Sequence, residues 1–182
     1  MGRRLVGLCA SALAALVFTA TGASAHVTTQ PASLPKGASD ALLSFAAPNE
    51  STTGASVVGL EVDLPTDHPL LGVQALAVSG WDVKVTTTQL PKPVTTDDGQ
   101  VTSAVSQVVW TATGPGIGAS QFGLFTLLVG TVPSTTSSLT FKALQTYSDG
   151  TVVRWIEPIV KGTPAPENPT PVLKLTKASK GG

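Results

Sequence analysis

His26 follows Ala23-Ser24-Ala25, a small-residue A-x-A motif of the kind at which signal peptides are cut. Cleavage between Ala25 and His26 is therefore expected to make this histidine the first residue of the exported protein. A chain that begins with His offers an α-amine and an imidazole Nδ1 from one residue, and together they close a small chelate ring on a metal. Both nitrogens must be unprotonated, which reference pKa values of about 7.7–8.0 for such an amine and about 6.5 for an imidazole permit near neutral pH. Two nitrogens completed by oxygen donors in a tetragonal array suit Cu(II), which also heads the affinity order of the divalent ions. A plainer reading stands beside it: some residue must follow every cleavage site, and here it is a histidine.

Few other side chains compete for chemistry. His68 is the only other histidine. Joined to His26 it would form a two-histidine brace, the arrangement of a copper oxidoreductase, but its setting in Asp67-His68-Pro69 reads more simply as a turn. Glu61 and Asp63 share a strand face as i, i+2 neighbours and could mimic a paired-carboxylate site, but on a solvated face they read more simply as solubilising charge. No G-x-S-x-G elbow exists for a serine hydrolase. The single cysteine, Cys9, precedes the cleavage site, so the mature chain has neither a disulfide nor a thiolate ligand. That removes zinc-ribbon, blue-copper and cysteine-nucleophile chemistry together.

The segment ahead of His26 has the build of a secretory signal. Gly2-Arg3-Arg4 gives a basic start, Leu5 to Ala20 is largely apolar, and small residues lead to the cut. The apolar run is too short and has the wrong flanks for a membrane span. A secreted or cell-envelope location is expected, with no membrane anchor in this chain. Of the 182 residues, the 157 after Ala25 suffice for one domain. Removing residues 1–25 takes away Arg3 and Arg4 and no acid, leaving nine basic against eleven acidic residues. Such a charge leaves no footprint for nucleic acid.

The elements that must position His26 read as strands. Thr, Val, Ser, Gly and Pro dominate, and short β-branched runs alternate with turn signals. Strands are expected over 26–29, 41–47, 56–64, 72–78, 81–87, 100–113, 120–130, 137–148 and 151–157. Asp97-Asp98-Gly99 and Ser148-Asp149-Gly150 supply tight turns between neighbours. That number of strands in this length fits a two-sheet β-sandwich, an all-β fold spanning 26–161. In 56–64, Val58, Leu60, Val62 and Leu64 are expected to face the core, with Val57, Gly59, Glu61 and Asp63 outward. The run 120–130 is apolar on both faces and reads as a buried central strand or one whose outer face is covered. From 162 the chain is rich in Pro and Lys, with an edge strand expected over 171–175 and a disordered tail from Lys177.

Four segments together carry a resemblance: His26-Val27-Thr28; Gly80-Trp81-Asp82-Val83-Lys84-Val85; Val108-Val109-Trp110-Thr111-Ala112 with Gly116-Ile117; and Phe141 to Gly150 running into Val152 to Pro158. In order and spacing the chain resembles the YcnI-like copper-binding proteins of bacterial envelopes, also known as a family of unknown function. The block from Thr146 to Pro158 is the most specific part. The resemblance implies a sandwich of cupredoxin or immunoglobulin-like type and one Cu(II) on a single-histidine brace at His26. It also implies a tryptophan beside the metal, which maps onto Trp155. Trp81 and Trp110 are expected in the core, and without the resemblance Trp155 would be read the same way. The family's carboxylate falls at Leu124, within Gln121-Phe122-Gly123-Leu124-Phe125, so the site either weakens or recruits another oxygen. Glu157, two residues beyond Trp155, is the expected donor, with Glu50 as a second candidate. Implied partners are a membrane copper transporter or another envelope chaperone. The function expected is copper handling without catalysis, as chaperone, buffer or delivery partner. A copper oxidoreductase and a metal-free interaction sandwich are the alternatives.

Overall fold

The computed structural model describes residues 26–178. The signal-peptide reading of 1–25 and the end of the expected tail lie outside the described residues. All twelve regular elements among these residues are strands. They are β1 (Thr28–Gln30), β2 (Ser33–Pro35), β3 (Ser39–Pro48), β4 (Val57–Asp63), β5 (Gln74–Ala75), β6 (Trp81–Thr96), β7 (Gly99–Ala112), β8 (Phe122–Thr131), β9 (Ser138–Thr140), β10 (Lys142–Tyr147), β11 (Val152–Trp155) and β12 (Val172–Thr176).

Two sheets, ordered β1-β3-β8-β5 and β11-β10-β4-β7-β6, make the sandwich, and a third, β2-β12-β9, completes it. One continuous core joins Leu43, Phe45, Phe125 and Leu127 of the first sheet to Leu60, Val62, Val108 and Trp110 of the second. At its centre the Phe125 ring meets Trp81 at 4.9 Å and Trp110 at 5.3 Å between centroids. Trp110 is fully buried and Trp81 half-buried, as the sequence suggests for two packing tryptophans.

Departures from the sequence reading have local causes. In β4 it is Val57 that is fully buried, while Val58 is only half-covered. Opposite them the β10 register slips between Thr146 and Tyr147, so Tyr147 pairs Val57 and Thr146 pairs Gly59. The extra residue at Val58 is a bulge that reverses the alternation for one step. β8 lies inside its sheet, yet its outer face is open at one end, with Phe122 and Leu124 exposed. The expected strand 137–148 divides at Phe141, whose N–H donates to the Pro171 carbonyl at 2.9 Å. There the chain passes from the third sheet to the second. β6 continues through Pro91 and Pro93, which a strand tolerates on a sheet edge, where β6 lies.

The run expected as an edge strand at 171–175 is instead the middle of its sheet, parallel to β2 and antiparallel to β9. Leu173 and Leu175 lie in the main core, so the domain runs through β12 rather than ending at 161. No local pattern marks β2, because Pro31 and Pro35 flank a run of few residues that pairs only with this distant strand.

Candidate metal centre

β1 brings the expected terminus to one end of the sandwich. It pairs antiparallel with β3 in the register Thr28↔Ala46, so the chain ahead of Thr28 runs toward Pro48, where β3 ends. Val27 and Thr29 point inward and are buried, and the Thr29 hydroxyl donates to the Val172 carbonyl at 3.0 Å. These inward residues hold β1 down, while His26 is left half-buried at the rim.

Trp155 reaches the same place from the other sheet. It is the last residue of β11, pairs with Ala143 and is buried. Its ring meets the His26 imidazole edge to face, with centroids 5.4 Å apart and planes at 71°. The indole N–H donates to Gln145 Oε1 at 3.0 Å, and Gln145 Nε2 donates to the Pro48 carbonyl at 2.7 Å. His26, Trp155, Gln145 and the end of β3 thus form one packed group. Sequence reasoning misses Gln145, although the residue leaves a signal. Phe141, Ala143, Gln145 and Tyr147 take alternate positions facing the core, and only Gln145 is an amide there.

Beyond Trp155 lies a cavity of about 300 Å³, lined among others by Glu50, Tyr147, Asp149, Glu167 and Asn168. Three of its lining residues are carboxylates and none is a cation. The Glu50 N–H donates to the Tyr147 phenol oxygen at 3.4 Å. The Thr151 N–H, with help from the Thr151 and Thr53 hydroxyls, holds the Asp149 carboxyl below the usual range. Burial pushes the Tyr147 phenol above its ordinary value. The Glu50 N–H opposes that shift, and the Glu50 and Asp149 charges add to it.

Tyr147 is the only tyrosine in the chain, so its titration can be read without ambiguity. The phenolate absorbance of the native protein should rise at a pH above that of the unfolded chain. With the folded pKa raised, the native state holds this proton more tightly. The stability it lends is full below the ordinary tyrosine range, about pH 10, and is lost as pH climbs through the folded value. A titration of native and urea-unfolded protein checks this, and coincident curves would refute it.

The structure places the other sequence candidates as follows. β11 stops at Trp155, and the Ile156 N–H turns back to the Arg154 carbonyl at 3.0 Å. The strand alternation that would have set Glu157 beside Trp155 therefore ends one residue too early. Its backbone instead bonds Asn168 and Thr170, and its Oε1 accepts from Asn168 Nδ2 at 3.4 Å. Leu124 lies on the outer face of β8, with β3 between it and β1. At about 4.8 Å per strand, that position is roughly 10 Å to the side of β1. His68 bonds the Thr135 hydroxyl at 3.1 Å in a cleft shared with Gly37 and Ser39, at the start of β3. β3 is 10 residues long, which at about 3.3 Å per residue separates the two histidines by roughly 30 Å. One chain therefore cannot close a brace with both. Among the described residues no three His, Cys, Asp or Glu side chains converge as a metal cluster.

A family model described as a domain of unknown function, DUF1775, matches residues 26–175. The copper-binding protein CutI of Bacillus subtilis (strain 168) is 29% identical over 173 residues, covering 95% of this chain and 73% of CutI. An uncharacterized protein from Nocardia farcinica, whose crystal structure reveals an immunoglobulin-like fold, aligns with a TM-score of 0.66. It shares 30% identity and covers 84% of this chain and 99% of its own.

Proposed function

The chain belongs to the DUF1775 family of domains of unknown function, and from that premise we propose that it binds Cu(II) at His26 after export. In this reading the cut after Ala25 frees the α-amine, and amine and imidazole together grip the ion. One observation carries the reading: the imidazole of the residue at the cleavage point is packed on Trp155, 5.4 Å between centroids, on a strand pinned by Val27 and Thr29. A terminus that merely follows a cleavage site has no need of such a seat. No cluster of three ligating side chains is found among the described residues, and a free amine on His26 would add a basic donor beside its imidazole. The relative named as copper-binding, CutI, supports the choice of ion.

An oxygen donor completes the set. Two carboxylates are candidates: Glu50, two residues beyond Pro48, lines the cavity beside Trp155, and Glu157 bonds Asn168 of that cavity and Thr170 of the cleft that His26 lines. Copper is cargo in this reading. The protein carries, buffers or delivers it in the envelope or outside the cell, exchanging it with a membrane transporter or a second chaperone. The separation of His68 from His26 counts against a two-histidine oxidoreductase.

Titration of Cu(II) into the protein beginning at His26, followed by electron paramagnetic resonance, tests the proposal. One tight, nitrogen-rich tetragonal site per chain is expected. Glu50→Gln or Glu157→Gln, whichever removes the oxygen donor, should weaken binding at least about tenfold, and the other should leave it unchanged. Affinity no better than that of an unfolded peptide beginning His-Val-Thr would overturn it.

A further inference from the structure

We propose that Gln145 is a positioning residue for the His26 site. Its buried amide fixes the Trp155 indole in the orientation that packs against the imidazole, and it ties that indole to the end of β3. For its metal-bound arm this inference rests on the copper reading above, and for its metal-free arm on the ring packing alone.

Gln145 is fully buried and faces the core between Ala143 and Tyr147, where an apolar side chain would pack without penalty. An amide is sustained there only if both its ends are bonded, and both are. The chemistry of the partners fixes the amide's orientation. An indole N–H can only donate, so it faces Oε1, and the Pro48 carbonyl can only accept, so it faces Nε2. Trp110 supplies the contrast. It is also a fully buried tryptophan, yet its Nε1 has no hydrogen-bond partner. A tryptophan that only packs is left unbonded in this core, whereas Trp155 is given a dedicated acceptor. That acceptor also spans the two sheets. Trp155 belongs to β11, Gln145 to β10 and Pro48 to β3, so one side chain sets the gap across which His26 and Trp155 meet. Pro48 leads in turn to Glu50, one of the two candidate oxygen donors.

The test compares wild type with Gln145→Met, which keeps the length and loses both bonds, and with Gln145→Glu, which keeps an acceptor for the indole. In the metal-free proteins, nuclear magnetic resonance reads the Trp155 Nε1–H signal and the His26–Trp155 ring contacts. Gln145→Met should shift that signal, speed its exchange with solvent and lose the ring contacts, while Gln145→Glu retains the contacts. With copper, Gln145→Met should bind about tenfold more weakly with altered resonance parameters, and Gln145→Glu should restore most of both. Unchanged ring contacts in Gln145→Met overturn the inference. If Gln145→Met does not fold, a folded Gln145→Leu that keeps the ring contacts overturns it equally. A wild type that fails to bind copper sinks the copper reading alone, and the metal-free spectra still decide the role of Gln145.

Discussion

A protein carrying one alanine ahead of His26 should bind Cu(II) roughly 100-fold more weakly than the protein that begins at His26, a loss of about 2.7 kcal/mol. The change is small and confined. The imidazole stays on the same residue, Val27 and Thr29 remain buried, and β1 keeps its pairing with β3. What is lost is the basic amine on His26 itself, because its nitrogen becomes an amide, and the free amine moves to the alanine, outside the small ring that His26 alone would close. Thermal stability should move by no more than about 0.5 kcal/mol, as for a surface change. A weakened affinity at constant stability therefore isolates the chelate. Titrations of both proteins, with nitrogen couplings counted by electron paramagnetic resonance, give the answer, and equal affinities with unchanged nitrogen couplings would mean that the His26 amine takes no part.

Much of this site is legible in the sequence, because its two best-marked residues sit in strong local patterns. His26 is marked by the Ala-Ser-Ala ahead of it, and Trp155 by a block running from Thr146 to Pro158 that carries the family resemblance. The family and the all-β sandwich follow from the same features, and the family match and the immunoglobulin-like relative bear both out. What stays hidden depends on pairing between distant segments. A bulge opposite Val58, the parallel pairing of β2 with β12, and the sheet change at Phe141 are properties of two strands at once. Periodicity within one strand does not record them. Glu157 shows the limit most plainly. Strand alternation carries it to Trp155's side only if the strand continues, and the backbone turn at Ile156 ends it one residue short. Gln145 is the reverse case. A polar residue in an apolar alternation looks like noise until its two partners, 10 and 97 residues away, are in place.

Phe125→Ala should destabilise the fold by about 4 kcal/mol, the largest stability loss expected among these substitutions. Phe125 is 1% exposed and packs between two tryptophans, edge to face with Trp81 and tilted against Trp110. Removing its ring takes contacts from both tryptophans together and opens a cavity that rigid strands on both sheets cannot collapse to fill. For a domain of this size the thermal midpoint should fall by roughly 10 °C. The neighbouring Leu124 makes the control. It lies one residue away on the same strand but points outward and is 48% exposed, so Leu124→Ala should cost less than about 1 kcal/mol. Denaturant unfolding of the two variants measures the difference. Similar losses would mean that the outer face of β8 is covered in solution. A small loss for Phe125→Ala would mean that the aromatic centre of the sandwich repacks around the gap. The seat of His26 is built on the same two sheets, so a Phe125→Ala protein that remains folded should keep its copper affinity only if Val27, Trp155 and Gln145 hold the rim independently of that centre.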